Sequence, residues 1–249
     1  MGVHRFYLPS VPLGREFPLP QEDSRKICRV LRIAPGNEIL LWDATGREYC
    51  ALITRRDGQR VFARVLAERN TDVEPDLRVA LVQGIPKGDK FEFIIQKATE
   101  LGVWRIYPAV TERTVVRIPP EKRRKRLERW RVIAREAARQ CGRVCIPEVM
   151  DISPLEEIWT GIEPDALKIL LWERETCGLK EFLRGNSPPS HAPVYLFVGP
   201  EGGLSEQEVE RGRTYGAGGV SLGPRILRSE TAGLVGLSLV LYEWGDLGG

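Results

Sequence analysis

Two loops rich in glycine and proline contain the residues best suited to binding a small ligand. The first, GPEGGL, is residues 199–204, and the second, LGPRILR, is residues 222–228. Each loop follows an apolar segment that predicts a strand, at 194–198 and 219–222, and each opens a predicted helix. Glycine lets a backbone approach a ligand closely, and a helix N-terminus presents unpaired N–H groups. The pattern predicts one ligand held between the two loops, with two ordinary strand-to-helix turns as the alternative.

The spacing of the glycines excludes two common phosphate-binding motifs. The glycines of GPEGG do not form a GxGxxG fingerprint, and neither loop has the Gly-Lys-Ser/Thr ending of a Walker loop. The sequence therefore predicts neither a nucleoside triphosphate site nor a dinucleotide site at these loops. Ser205 and Glu208 have the spacing of a capping box for the helix after the first loop. Ser229 is the candidate N-cap of the second helix.

A long predicted helix at residues 120–141 provides a second chemically capable surface. Its apolar face contains Leu127, Trp130, Ile133, Ala134 and Ala137. The rest of its surface is strongly basic and carries Lys122, Arg123, Arg124, Lys125, Arg126, Arg129, Arg131, Arg135 and Arg139. Such a stripe suits a nucleic-acid phosphate backbone, because bound lysine and arginine release counterions. A solvated helix face is the equally supported alternative.

Further polar residues, at the end of this helix and elsewhere in the chain, could take part in the same basic surface. These residues are Arg5, Arg25, Lys97, Arg113, Arg139, Gln140 and Arg143. Arg5 and Arg25 would contribute only if the N-terminal part of the chain lies near the helix. Lys97 and Glu100 are spaced i, i+3, which by itself favours a surface ion pair worth about 0.2–0.5 kcal/mol.

Composition restricts the remaining classes of site. The chain of 249 residues contains two histidines and five cysteines, has no CxxC pair and carries a net charge of +3. These features argue against a histidine metal site, a Ser-His-Asp triad, a zinc site and a disulfide framework. No apolar run approaches the roughly 20 residues of a membrane helix, and MGVHRFYLPS lacks the apolar centre of a secretory signal. We therefore expect a cytoplasmic protein without a metal.

Residues 1–70 predict a β-rich module. The segments EILLWD, REYCALITRR and QRVFARVLAER alternate between apolar and polar residues. Turn signals at 44–46 and 57–58 separate these segments, which indicates a meander or a small barrel. The helical spacing of residues 21–32 predicts one apolar face formed by Ile27, Val30 and Leu31. A polar segment after residue 70 would link this module to the rest of the chain.

From residue 77 the pattern alternates between strands and helices, which implies a mostly parallel sheet. Beyond the two strands before the loops, the predicted strands are 77–85, 104–110 and 167–173, with an extended piece at 144–149. Predicted helices are 87–102, 120–141, one that starts with a capping box at Ser153, one after the first loop, and 230–244. Residues 184–193 predict a loop. The final helix is apolar on most sides, and a partner subunit is the simplest way to bury it.

The two loops and their surroundings resemble the SPOUT class of methyltransferases. GPEGGLSEQEVE followed by SLGPRILRSETA is similar to the small-subunit ribosomal RNA enzymes that methylate uridine at N3, the RsmE family. HRFYL, QKATELGV, TERTVV and EAARQCGR fit the same family in the same order. The resemblance therefore covers essentially the whole chain.

The resemblance implies an α/β protein in two parts. Residues 1–72 would form a PUA-like β-barrel that binds RNA, and residues 73–249 would form a SPOUT methyltransferase domain. A deep trefoil knot would occupy about residues 167–244, which no periodicity in the sequence reveals. The implied partners are 16S ribosomal RNA, in an assembled particle, and a second copy of the chain. The dimer interface would include the knot region and the final helix.

S-adenosylmethionine is the implied cofactor, held against the two loops and the end of the strand at 167–173. The implied cofactor-binding residues are Leu171, Trp172, Glu173, Gly199, Pro200, Glu201, Gly202, Gly203, Leu222, Gly223, Ile226, Leu227 and Arg228. Uridine N3 must lose its proton, so a cation that stabilises the developing anion would help. Arg228 is the first choice for that cation, and Glu230 would orient it or accept a proton. The polar residues named above would bind RNA, with Arg139, Gln140 and Arg143 positioning it.

Two other functions remain open from the sequence. One is a SPOUT methyltransferase that modifies another RNA or another atom, such as a ribose hydroxyl or guanine N1. The other is a non-catalytic RNA-binding factor for ribosome assembly that keeps the fold as a scaffold.

Overall fold

The computed structural model describes residues 3–187 and 191–249. These residues form two compact units, each with its own hydrophobic core. The first unit comprises Met1–Glu74 and Ala138–Ile146, and the second comprises Pro75–Ala137 and Pro147–Gly249.

The first unit contains a sheet of five strands among its described residues. The strands are β1 Arg5–Tyr7, β2 Phe17–Pro18, β3 Glu38–Trp42, β4 Glu48–Asp57 and β5 Arg60–Arg69. Their order is β1-β3-β4-β5-β2, and every neighbouring pair is antiparallel except β1 with β3. The predicted meander is confirmed in β3, β4 and β5. Its turns contain Gly46 and Gly58, whose φ angles of +77° and +56° favour glycine.

The helix predicted at residues 21–32 is confirmed only in part. An α-helix, α1 at Gln21–Arg25, continues as a π-helical segment over Lys26–Leu31. Ile27 is buried as predicted, but Val30 is 72% exposed, so its predicted place on the apolar face was wrong. A π-helical turn bonds residues that are five apart instead of four. Residues three apart therefore leave the shared face that a regular α-helix would give them.

The second unit contains a parallel sheet of seven strands among its described residues. The strands are β6 Val79–Gly84, β7 Arg105–Val110, β8 Glu148–Val149, β9 Ser153–Pro154, β10 Leu167–Leu171, β11 Val194–Val198 and β12 Gly218–Val220. Their order is β12-β10-β11-β6-β7-β8, and β9 also pairs with β7. Every pairing is parallel, which confirms the predicted α/β class.

Helices cover both faces of this sheet. They are α2 Lys90–Glu100, α3 Pro120–Cys141, α4 Leu155–Gly161, α5 Leu179–Gly185, α6 Glu206–Thr214 and α7 Ser229–Trp244. On one face, Trp159 of α4 stacks on Phe197 of β11 with ring centroids 3.7 Å apart. On the other face, α7 approaches so closely that a Cβ at Gly236 would lie 2.8 Å from Leu171. Burial on both faces explains the continuous apolar runs of these strands.

Two helix starts differ from the prediction. Ser153 and Pro154 form β9 instead of a capping box, so α4 begins at Leu155 without a side-chain cap. Pairing with β7 holds the backbone of both residues extended. Ser229 is the first residue of α7 rather than its cap, and its hydroxyl donates to the Gly199 carbonyl at 2.6 Å.

Helix α7 matches the predicted apolar helix and leaves part of its surface uncovered. Leu237 and Val240 are buried, whereas Leu239 is 42% exposed and Tyr242 is 66% exposed. Burial against a partner subunit stays a prediction. Across residues 3–187 and 191–249, no helix combines the length and apolarity needed to span a membrane.

The loop predicted at residues 184–193 begins inside α5, so its start was wrong by two residues. Residues 188–190 of this predicted loop lie outside the described part of the chain.

Candidate active site

A cavity of about 710 Å³ opens at the carboxyl ends of β10, β11 and β12. The carboxyl edge of a parallel sheet is the usual place for a ligand in an open α/β fold. All the residues predicted to bind a cofactor line this cavity. They come from the last residue of β10 and from the three segments that follow these strands. These segments are separated in sequence and meet because the strands are neighbours.

The first loop is held tightly by its own backbone. The Gly203 amide donates to the Pro200 carbonyl at 2.9 Å, and Gly203 has a φ of +68°. A Cβ at Gly199 would lie 2.5 Å from the Gly203 carbonyl carbon, so no larger residue fits without opening the loop. The predicted capping box of Ser205 and Glu208 is confirmed, and it starts α6 directly behind the loop.

The second loop exposes an apolar and a cationic side chain at the cavity. Gly223 has a φ of +108°, and its amide donates to the Ser221 hydroxyl at 3.2 Å. Ile226 is 85% exposed although it lines the cavity. Arg228 precedes α7 with its side chain exposed, and its carbonyl accepts amides of the first turn of that helix. This loop therefore offers an uncovered apolar surface beside a positive charge.

Lys90 joins two carboxylates beside the cavity and was not among the predicted site residues. Its Nζ lies 3.2 Å from Glu201 Oε1 and 3.4 Å from Glu230 Oε2. The hydrogen bond with Glu201 raises the pKa of Lys90, and the nearby Glu230 charge adds to this effect. Burial opposes ionisation of Glu201, but hydrogen bonds from the backbone, including the Lys87 amide, and from Lys90 lower its pKa overall. Glu230, predicted to orient Arg228 or accept a proton, is therefore held next to a cation.

A buried polar group lies beneath the two loops. Gln83, near the end of β6, is fully buried, and its Nε2 lies 3.2 Å from the Gly199 carbonyl and 2.9 Å from Ser229 Oγ. Gly199 and Ser229 both line the cavity. No local sequence signal points to Gln83, because these partners are 116 and 146 residues away.

Two predicted RNA-binding residues of the second unit already have protein partners. The Arg113 guanidinium donates to the Gly202 carbonyl at 2.8 Å, which places it against the first loop. Lys97 pairs with Glu100 at 2.8 Å, as the i, i+3 spacing predicts. RNA binding by both side chains stays a prediction.

Two predicted RNA-binding arginines of the first unit have internal contacts. Arg5 pairs with Glu48 at 2.6 Å and donates to carbonyl groups of residues 138, 139 and 143. Arg143 is buried and pairs with Glu74 at 2.8 Å. These contacts stabilise the unit, so direct RNA binding by either guanidinium stays a prediction. Arg25 and Gln140 are exposed, and Arg139 is half-buried.

Part of the basic surface of α3 is neutralised by carboxylates. Arg129 pairs with Glu92 of α2 at 2.5 Å, and Arg124 pairs with Glu128 at 3.0 Å. Within the described residues, no group of three or more His, Cys, Asp or Glu side chains has a metal-binding arrangement.

Comparison with known proteins places the chain in a family. Residues 73–241 match the family model of the RNA methyltransferase domain. The Bacillus subtilis ribosomal RNA small subunit methyltransferase E is 34% identical over 232 residues, covering 91% of this chain and 90% of that protein. The chain belongs to this RNA methyltransferase family. The ribosomal RNA small subunit methyltransferase E of Mycobacterium bovis is 30% identical over 242 residues, which cover 94% of this chain and 90% of that protein.

A solved structure of the same family has the same fold along nearly its whole length. It is the ribosomal RNA small subunit methyltransferase E of Neisseria gonorrhoeae bound to S-adenosylmethionine, with a TM-score of 0.90 and 35% identity. The match covers 98% of this chain and 99% of that chain. Membership of the RNA methyltransferase family therefore holds for both units and not only for the residues around the cavity.

Proposed function

We propose that this protein methylates a specific uridine at N3 in small-subunit ribosomal RNA, with S-adenosylmethionine as methyl donor. The main support is the cavity that the three loops line. The relatives that match this chain over most of their length are named ribosomal RNA small subunit methyltransferase E. The structural relative from Neisseria gonorrhoeae is described as bound to S-adenosylmethionine. The N3 position comes from the sequence resemblance to the RsmE family.

The cavity suits S-adenosylmethionine in size and in chemistry. Its volume of about 710 Å³ is within the range of roughly 300–1,000 Å³ that is common for small-molecule sites. The exposed Ile226 can cover one face of an adenine ring, and the backbone groups of the glycine loops can bind its polar edge. The carboxylates of Glu173, Glu175 and Glu201 line the same cavity. Glu201 pairs with Lys90 and Glu175 pairs with Arg213, so Glu173 is the carboxylate that best suits a sulfonium or ammonium group.

S-adenosylmethionine supplies an activated methyl group when bound. The chain therefore needs to bind the donor and the uridine, align them, and provide for the removal of one proton. The loops align the donor, and Arg228 at the end of the second loop faces the charge that develops on uridine as N3 loses its proton. Glu230, beside Lys90, orients this region of α7 or accepts the proton that leaves N3. N3 is on the Watson–Crick edge, so the target uridine must be unpaired or flipped out of a helix.

The RNA is held by the first unit and by basic residues of the second in this proposal. Residues 1–72 form a PUA-like RNA-binding domain, and residues 73–249 form a SPOUT domain with a trefoil knot at about 167–244. Arg25 and Gln140 support the RNA role because they are exposed. The basic surface of α3 supports it through its content of lysine and arginine.

The active form is a homodimer in this proposal, with α7 at the interface. The support is the exposure of Leu239 and Tyr242 on a helix whose other face is buried at Leu237, Val240 and Leu241. Ribosomal RNA as the substrate agrees with the cytoplasmic location expected from the sequence.

The function is tested by measuring 3-methyluridine in rRNA incubated with the purified protein and S-adenosylmethionine. Arg228→Ala should lower kcat by about 10²–10³-fold, the usual cost of removing a group that stabilises transition-state charge. Its melting temperature should stay unchanged because the side chain is exposed. Arg184→Ala, an exposed arginine on α5 outside the cavity, is the matched control and should keep wild-type activity.

The outcomes separate the alternatives. A different methylated nucleoside would show that the enzyme modifies another atom or RNA. Absence of S-adenosylmethionine binding by calorimetry would favour a non-catalytic assembly factor. Wild-type turnover by Arg228→Ala would remove the role given to that residue.

A further inference from the structure

A fully buried glutamine interrupts the apolar core at the centre of the parallel sheet. Gln83 is the fifth residue of β6, which pairs with β11 on one side and β7 on the other. Its neighbours Leu81 and Val82 are buried and apolar, as is usual for a strand covered on both faces. Burying an amide in such a core costs free energy unless its hydrogen bonds are made.

The amide nitrogen of Gln83 connects three backbone segments. Nε2 lies 3.1 Å from the Gly84 carbonyl, 3.2 Å from the Gly199 carbonyl and 2.9 Å from Ser229 Oγ. The Ser229 hydroxyl in turn donates to the Gly199 carbonyl at 2.6 Å. Gly199 opens the first cavity loop, and Ser229 follows the second. One side chain therefore links both loops to the central strand.

The contacts of Gln83 favour a single orientation of its amide. The atoms around Nε2 are two carbonyl oxygens and a hydroxyl whose proton is used on Gly199, so an oxygen in that place would meet only acceptors. Within the described residues, Oε1 has no hydrogen-bond partner. It faces α7, where a Cβ at Gly233 would lie 2.7 Å from it. The glycine thus makes room for the amide oxygen.

We infer that Gln83 is a positioning residue that holds the two loops of the cofactor cavity in their binding conformation. This inference rests on the proposed function for the identity of the ligand. Core packing alone does not require an amide here, since an apolar side chain of equal length would fill the same space. The hydrogen bonds are directed at Gly199 and Ser229, which line the cavity. Preorganised loops bind a ligand more tightly, because the entropy cost of ordering them is not subtracted from the binding free energy.

The test compares Gln83→Met with the wild type. Methionine keeps the length and approximate volume of glutamine but cannot donate to the Gly199 carbonyl or to Ser229. We expect KM and Kd for S-adenosylmethionine to rise roughly ten-fold, because buried acceptors lose their donor. The kcat at saturating cofactor should change less than three-fold, since the bound ligand restores the loop conformation. Hydrogen exchange without cofactor should be faster in residues 199–204 and 228–233 only.

A control and a second variant make the result decisive. Thr99→Val also removes a buried hydroxyl that donates to a carbonyl, but within α2, so it should leave KM and loop exchange unchanged. Ser229→Ala breaks the same link from the other side, and with Gln83→Met it should give less than additive losses. If Gln83→Met does not fold, Ser229→Ala tests the inference by itself.

Unchanged cofactor affinity and unchanged loop exchange in Gln83→Met and Ser229→Ala would overturn the inference. The inference would also be overturned if Gln83→Met lowered kcat as much as cofactor affinity and Thr99→Val caused the same losses. Such a result would indicate general destabilisation. A wild-type chain that does not bind S-adenosylmethionine would refute the proposed function instead. Hydrogen exchange without cofactor would still decide whether Gln83 holds the loops.

Discussion

Gly199 is the position in the cavity where one added methyl group should have the largest effect. A Cβ there would lie 2.5 Å from the Gly203 carbonyl carbon and 2.7 Å from the Leu204 amide nitrogen. Both atoms belong to the backbone of the same loop, so no side chain can rotate to make room. Ordinary contact begins at 3.4 Å, so Gly199→Ala must open the loop by about 0.9 Å.

This displacement should be expensive for both stability and binding. Overpacking a closely packed site costs typically about 1–3 kcal/mol, which lowers the melting temperature by roughly 2–12 °C in a chain of this size. A displacement of about 1 Å at a positioning group can cost about 10²-fold in rate. We therefore expect kcat/KM for S-adenosylmethionine to fall by about 10–100-fold in Gly199→Ala. Calorimetry and steady-state kinetics at a temperature below both melting transitions measure this.

Gly161→Ala is the control for the conformational effect of replacing a glycine. Gly161 ends α4, and a Cβ there would meet no atom within 4 Å. This variant should be neutral or slightly stabilising, because alanine restricts the unfolded chain. The steric reasoning is refuted if Gly199→Ala binds S-adenosylmethionine within two-fold of the wild type with an unchanged melting temperature.

Two further predictions concern acid stability and assembly. Burial opposes ionisation of Asp43, but hydrogen bonds from Thr45, Arg47 and Tyr49 together lower its pKa. Its stabilisation is thus complete above the unfolded pKa of about 3.9 and is lost as the pH falls through the lower folded value. Asp43→Asn should reduce the unfolding free energy at pH 7 by about 1–2 kcal/mol, with urea titrations showing the difference vanish in acid; a constant difference would contradict this cause. Leu239→Arg with Tyr242→Arg should convert the proposed dimer to a monomer in sedimentation, and an unchanged dimer would place the interface elsewhere.

Features that depend on neighbouring residues in sequence could be predicted well. The bounds of α3 at Pro120–Cys141 agree with the prediction, because its apolar spacing and charged surface are local. The capping box at Ser205 and Glu208 is likewise a property of four consecutive residues. The placement of the two loops along one cavity followed from the parallel strands that precede them. The predicted burial of Val30 on the apolar face was wrong, because a π-helical segment has no distinct periodic signal in a short sequence.

Features that depend on long-range contacts could not be predicted. Lys90 reaches the cavity from the start of α2, and its partner Glu201 is 111 residues away. Arg5 has the charge of an RNA-binding residue, yet its guanidinium pairs with Glu48 and donates hydrogen bonds to carbonyl groups of the first unit. Sequence composition gives the charge of an arginine but not the partner that neutralises it. Partner assignment requires the topology that brings distant segments together.

The charge arrangement around the cavity distinguishes the two proposed catalytic residues. The Glu230 carboxylate lies 3.4 Å from the Lys90 ammonium, so its negative charge already has a cation beside it. Among the described residues, the Arg228 guanidinium has no ion-pair partner, and it lies at the mouth of the same cavity. A cation that is not already neutralised interacts most strongly with a new negative charge. The uridine anion should therefore draw its stabilisation from Arg228, while Lys90 and Glu230 fix the first turn of α7, which directly follows Arg228.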